Sequence, residues 1–271
     1  MKPRIAVQVY SLRDEAERDF AKTMRDIKAM GFEGVELAGL YRIEPAEVGR
    51  IIRECGLEPV SAHVPLDDMR SDIDAVIADY KAVGVRHIAV PYLAPEDRPE
   101  SGNFAKTVED IVAIAKKVTE AGITLSYHNH DFEFAAIDGK YALDMLYESV
   151  PCELLSAELD TCWVRVAGED PVKYIDKYAS RMPLLHLKSY YGRKSGQVYG
   201  LIGLESRDEP EGDFEYRSIG GGVVDMKGVC EAGVRAGAEW MIVEQDSPTP
   251  GKTPLECIAE SADWLKQNRY M

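Results

Sequence analysis

Apolar runs along this chain end in imidazoles and carboxylates. His63 closes Val60-Ser61-Ala62-His63, His128 and His130 close the run 123–130, and His186 closes Pro183-Leu184-Leu185-His186. Glu158 and Asp160 end a fourth run, Glu244 a fifth, and Glu36 ends Gly34-Val35-Glu36-Leu37. Side chains two apart on a strand share a face. His128 therefore goes with His130, Glu158 with Asp160, His186 with Lys188, and Glu244 with Asp246. Buried groups of this kind must pair with one another or hold a cation. Asp160, His186 and Glu244, with His128 as the fourth, make a mixed carboxylate and imidazole set that suits Mn²⁺, Co²⁺, Mg²⁺ or Zn²⁺. A hydrogen-bonded polar layer without metal is the alternative. Glu158 and Lys188 stand two residues from these ligands. There each can move a proton, orient a ligand, or close a salt bridge one layer lower. Glu36 and His63 are candidates for binding substrate hydroxyls. Trp163 and Tyr10 either wall a sugar ring or pack in the core. His87 begins its run, which puts it at the opposite, structural end.

Groups so scattered need a fold that gathers them. Strand-like runs lie near 4–10, 33–38, 58–64, 86–92, 123–130, 154–160, 183–189 and 239–245. Helical periodicity follows each, near 17–31, 44–55, 67–83, 102–121, 141–149, 170–180, 225–236 and 254–268. Gly31, Gly56, Gly84, Gly122 and Gly237 recur where helices should end. The alternation implies a parallel sheet with crossover helices, and eight units imply closure as a (β/α)₈ TIM barrel, a single domain over 1–271. In such a barrel the C-terminal strand ends converge on one mouth. One connection departs from the pattern. About 35 residues, 190–224, separate the seventh strand from its helix, far more than a usual loop. That length predicts a lid or wall over the catalytic face, with Arg193 as a further substrate contact; a floppy insertion is the alternative. Gly220-Gly221-Gly222 reads as a turn before it reads as a phosphate-binding helix start.

Composition narrows the partners. A net charge of −15 and a pI near 4.8 argue against nucleic acid and anionic membrane surfaces. Five cysteines with no CxxC spacing predict free thiols in a reducing compartment. No signal peptide and no apolar run of roughly 20 residues is visible, so a soluble cytoplasmic protein is expected. GxGxxG, P-loop and GxSxG signatures are missing, which leaves dinucleotide, NTP and serine-hydrolase chemistry without support.

The chain resembles the xylose-isomerase-like TIM-barrel superfamily of sugar isomerases and epimerases over essentially its whole length. The carriers are residues 31–36, residues 122–130, Leu159-Asp160-Thr161, Leu185-His186-Leu187-Lys188 and Val243-Glu244. The resemblance implies a divalent metal held by strands five to eight and carries over Asp160, His186 and Glu244 as ligands. It departs from the ketose epimerases at two positions. His128 stands where they place a glutamate, and Trp163 where they place a substrate-binding histidine. Residues 127–130 and 243–246 look more like the inosose-dehydratase branch, whose members eliminate water from a keto-cyclitol. Isomerisation, epimerisation and β-elimination can all begin with removal of a proton α to a carbonyl, giving a metal-stabilised enediolate. Glu244 is then a ligand with base character, and His130, Glu158 or Lys188 is the second proton carrier. The first expectation is a metal-dependent isomerase or epimerase of a ketose, keto-sugar or sugar phosphate. The rivals are an inosose-dehydratase-like lyase and a catalytically silent sugar-binding barrel. A DNA-repair nuclease of this fold is disfavoured by the acidity and by too few histidines for a three-metal cluster. The expected partner is a small sugar or polyol. Related barrels often form homo-oligomers, and nothing in the sequence sets a subunit number.

Overall fold

The alternating runs form a closed parallel barrel in the computed structural model, which describes residues 3–194 and 212–271. Its strands are β1 (Arg4–Gln8), β2 (Gly34–Ala38), β3 (Glu58–His63), β4 (His87–Val90), β5 (Thr124–His128), β6 (Ser156–Asp160), β7 (Leu184–Leu187) and β8 (Trp240–Val243). They pair in the order β1-β8-β7-β6-β5-β4-β3-β2, with β1 also paired to β2. The single-domain (β/α)₈ expectation holds.

Two apolar layers follow from strand alternation. Val7, Val35, Leu37, Leu125, Leu159, Leu185 and Val243 face outward into the main core beneath the helices. Helix α2 (Phe20–Met30) meets that core through Phe20, Met24 and Ile27, at helical spacing. Each buried apolar side chain of this kind contributes about 2 kcal/mol. Ala6, Val60, Leu184, Trp240 and Ile242 form a separate cluster on the inner face. Above this apolar plug the interior turns polar, with Glu36, Glu158 and His186 wholly buried.

The remaining helices are α1 (Arg13–Arg18), α3 (Pro45–Glu54), α4 (Leu66–Val83), α5 (Phe104–Glu120), α6 (Ala142–Ser149), α7 (Thr161–Val166), α8 (Pro171–Tyr178), α9 (Met226–Ala236) and α10 (Pro254–Gln267). All five glycines read as helix ends have positive φ, as a left-handed cap requires. Helix α7 escaped the sequence reading, because Cys162-Trp163-Val164-Arg165-Val166 has strand-like composition. It starts because the Asp160 side chain accepts the Trp163 amide at 3.0 Å.

In the long seventh connection, Ser189–Tyr191 pairs antiparallel with Glu215–Arg217. Residues 195–211, on which much of the lid expectation rests, lie outside the described residues. Gly221 N–H bonds to Ser218 O, so the glycine run makes a turn. Asp225 caps α9 by accepting from Gly228 N–H. Among the described residues, no helix is long and apolar enough to cross a membrane.

Candidate active site

Strands β5 to β8 each deliver one donor to the barrel mouth. Register sets Asp160 beside His186 and His128 beside Glu158. Atoms of His128, Asp160, His186 and Glu244 all lie within 4.8 Å of one another. His128 Nε2 stands 3.4 Å from Asp160 Oδ2 and 3.7 Å from Glu244 Oε2, and His186 Nδ1 stands 3.1 Å from Glu244 Oε2. His128 Nδ1–H donates to Pro91 O at 3.1 Å, which turns the Nε2 lone pair toward the carboxylates. Asn129 Oδ1 accepts from Asp160 N–H at 3.0 Å and fixes the end of β6. Both His128 Nε2 and Asp160 Oδ2 are buried without a hydrogen-bond partner among the described residues. Orphaned polar atoms turned toward one point, in a carboxylate and imidazole set, fit a divalent cation.

A second tier lies below. His186 Nε2 is 2.8 Å from Glu36 Oε2 and also touches Glu158 Oε1. The contact with Glu36 joins β7 to β2, which are not neighbours, so it crosses the barrel interior. Gln8 Nε2–H donates to Glu36 Oε2 at 2.8 Å. His63 joins through Nε2, 3.0 Å from Glu158 Oε1. A β-bulge brings it there. Val35 pairs with Pro59 but Glu36 with Ser61, so Ala38 pairs with His63. Without that extra residue the alternation would turn His63 outward.

The electrostatics follow from burial and pairing. Burial opposes charge on His128, but the carboxylates of Asp160 and Glu244 facing it outweigh that and push the pKa up to about 10. His186 rises well above its usual range, since Glu158, Glu36 and Glu244 outweigh burial. Burial works against ionised Glu244, yet Lys188 and His186 hold it well below the carboxylate range. Glu158 is held low in the same way by His186 and His63. Glu36 goes up, by burial and then by the Glu158 charge. Protons and a cation therefore compete for the same imidazole nitrogens.

Lys188 is buried, with Nζ 2.7 Å from Asp246, 3.0 Å from Glu244 and 3.5 Å from Asp160. Its ammonium lies 5.1 Å from the Trp163 ring centre and 5.5 Å from that of Tyr216. The His130 ring stacks parallel on Phe132 at 5.0 Å and tilts against Trp163 at 5.1 Å. Burial, then the charges of His128 and Lys188, keep His130 well below its usual pKa and so neutral. Its backbone N–H donates to Glu133 Oε2 at 2.7 Å.

A cavity of about 420 Å³ opens over this constellation, walled by Tyr10, His63, Tyr92, His128, His130, Trp163, Lys188, Glu244 and Asp246. Sequence reasoning anticipated most of these residues. Besides the ligands Asp160 and His186, which lie beneath the wall, it pointed to three residues for substrate or proton transfer that do not line the cavity. Glu36 and Glu158 are wholly buried in the tier below and do not reach substrate space. Arg193 is 87% exposed, its backbone N–H held by Asp213. His87 is buried at the start of β4, as its position implied. Asp246 shares the Glu244 face by strand alternation, and that spacing is signal enough for a residue of the site. Tyr92, also on the wall, sits in a loop and carries no periodic signal, and Asp68 stands in the first turn of α4, where a carboxylate reads as ordinary helix-start chemistry. Gln8 was detectable as a polar residue in an apolar strand.

The family model for xylose isomerase-like TIM barrel proteins matches residues 24–268. The inosose dehydratase of Lacticaseibacillus casei is 21% identical over 178 residues, 63% of this chain and 57% of that protein. The match thus spans little more than half of that relative. The inosose dehydratase of Salmonella agona is 22% identical over 261 residues, 89% of this chain and 85% of that protein. A solved sugar phosphate isomerase/epimerase from Parabacteroides distasonis superposes with a TM-score of 0.81 at 18% identity, covering 100% of this chain and 96% of that one. At that identity the likeness shows the fold.

Proposed function

This chain belongs to the xylose isomerase-like TIM barrel family, and on that premise we propose that it is a metal-dependent isomerase or epimerase that removes a proton α to the carbonyl of a neutral keto-sugar or keto-polyol. The convergence of His128, Asp160, His186 and Glu244 beside a buried, charge-paired Lys188 carries this reading. These four residues would hold a divalent cation, which supplies Lewis-acid polarisation of a carbonyl and an adjacent hydroxyl. Glu244, on the cavity wall, accepts the α proton. Lys188, fixed between Glu244 and Asp246, returns a proton to the neighbouring carbon in an isomerisation, with the hydroxyl proton passing to the former carbonyl oxygen, or to the same carbon in an epimerisation. Neutral His130 hydrogen-bonds a substrate hydroxyl, and Trp163 and Tyr10 wall the ring.

Charge supports a substrate without phosphate. Among the described residues, Lys188 is the one lysine or arginine on the cavity wall, and three carboxylates already face it. Asp68 adds a further negative charge to that wall. A phosphate monoester would enter a field of its own sign.

Elimination of water is the second reading. It is favoured by the inosose dehydratase relatives and by Lys188, which can protonate a departing hydroxyl as readily as a carbon. The deciding experiment is proton NMR of the Mg²⁺-loaded protein in D₂O with ketoses, ketose phosphates and keto-inositols. Deuterium entering beside the carbonyl, with the substrate's atoms conserved, supports the isomerase. A new enone or diketone moves the protein to the lyases. No exchange with any substrate sinks both.

A further inference from the structure

The tier beneath the proposed metal ligands has the donor pattern of a site in its own right. Glu36, His63, Glu158 and His186 each offer one atom, all within 4.8 Å of one another. The contacts cross. His63 Nε2 lies 3.2 Å from Glu36 Oε2 and 3.0 Å from Glu158 Oε1, while His186 Nε2 lies 2.8 Å from Glu36 Oε2 and touches Glu158 Oε1. Four imidazole–carboxylate contacts share at most two ring protons, one on each Nε2. The other oxygens, Glu36 Oε1 and Glu158 Oε2, are buried with no hydrogen-bond partner among the described residues. A network so short of protons is a costly way to bury two carboxylates. Donors held by one cation at about 2.1 Å stand roughly 3.0–3.4 Å apart at neighbouring vertices, close to the spacing here.

The charge count agrees. Glu36, Glu158, Asp160, Glu244 and Asp246 oppose a single buried ammonium, Lys188. Two divalent cations offset the remaining negative charge of these groups, and a bridging His186 imidazolate leaves the loaded cluster with a single negative charge.

We propose that Glu36, His63, Glu158 and Nε2 of His186 bind a second divalent transition-metal ion, of the Zn²⁺ or Mn²⁺ class, inside the barrel. His186 presents Nδ1 to Glu244 and Nε2 to this tier. Its ring joins the two sites as an imidazolate, and its proton is released to solvent when the second ion binds. Gln8 holds the Glu36 carboxylate turned inward. His63, the partly exposed member, faces the cavity through which the ion enters. The site shares His186 with the centre under the proposed function and does not depend on turnover.

Chelator-stripped protein titrated with Zn²⁺, freed of excess metal and analysed for zinc, tests this, together with anomalous scattering from crystals of the loaded protein. Two zinc ions per chain are expected, with one peak on either side of the His186 ring. Glu36→Gln and His63→Ala should each lower the count to one and keep the peak beside Asp160. One zinc per chain, at Asp160 only, overturns the proposal and leaves the proposed function standing. A peak beside Glu36 with none beside Asp160 supports this site and sinks the other. Should the variants fail to fold, the wild-type map alone decides.

Discussion

Lys188 is an ammonium held below two aromatic rings and between Glu244 and Asp246. If it returns the proton, Lys188→Gln should lower kcat roughly 10²–10⁴-fold while bound metal is retained. Unchanged single-turnover rates would remove Lys188 from the mechanism. Asp160 offers a different test, because its two oxygens have separate tasks. Oδ1 caps α7, and Oδ2 faces His128. Asp160→Asn keeps a capping oxygen and loses the charge, so it should abolish metal retention beside His128 and leave the circular dichroism spectrum intact. His186→Ala should likewise lose the metal. Full occupancy in both variants would rule out the ligand assignment. Glu133 reports on the loop behind His130. Burial pushes its carboxyl up to about 7, although Tyr127 O–H and His130 N–H both donate to it. A carboxyl raised on folding binds its proton more tightly in the native state. Its contribution is therefore most favourable below the unfolded pKa and is lost as pH rises toward 7, by about 3 kcal/mol. Urea midpoints from pH 4 to 8 should fall less steeply for Glu133→Gln than for wild type.

At the scale of elements, chain ends aim the donors. Each site strand finishes where a side chain must turn into the mouth, and β6 passes into α7 at Asp160 itself. The outer shell is as closely fitted. A Cβ on Gly49 of α3 would lie 2.2 Å from the carbonyl oxygen of Val83, the last residue of α4. Arg53 also donates to that oxygen at 2.7 Å, so the carbonyl is not free to retreat. Gly49→Ala should cost about 1–3 kcal/mol by overpacking, read as a lower urea midpoint.

Across the whole molecule, acidity and the site belong together. A chain of net charge −15 concentrates buried carboxylates at one mouth, and a bound cation offsets their mutual repulsion. Ligand linkage then couples metal to folding. Metal present at 100 times its Kd stabilises by about 3 kcal/mol, so chelation should lower Tm by several degrees and readdition of Mn²⁺ should restore it. Metal affinity should also fall as pH is lowered, because His128, at about 10, binds a proton where the cation needs its lone pair. A Tm indifferent to chelator would argue for a proton-balanced polar layer.

Sequence by itself determined the strand and helix alternation, the barrel it implies, and which side chains share a face. Periodicity carries that information locally, and a closed parallel barrel turns every strand end toward one mouth. For that reason His128, Asp160, His186 and Glu244 were legible as a group without a coordinate. Depth and stagger were decided only by the tertiary structure. Glu36 and His63 both read as residues for the substrate. The barrel's register buries Glu36 below the cavity, and a one-residue bulge between β2 and β3 turns His63 inward. Arg193 read as a substrate contact, but Asp213 holds its backbone and its side chain points to solvent. Face is set by alternation within a strand. Depth is set by how neighbouring strands slide against each other, and no single strand's pattern records that.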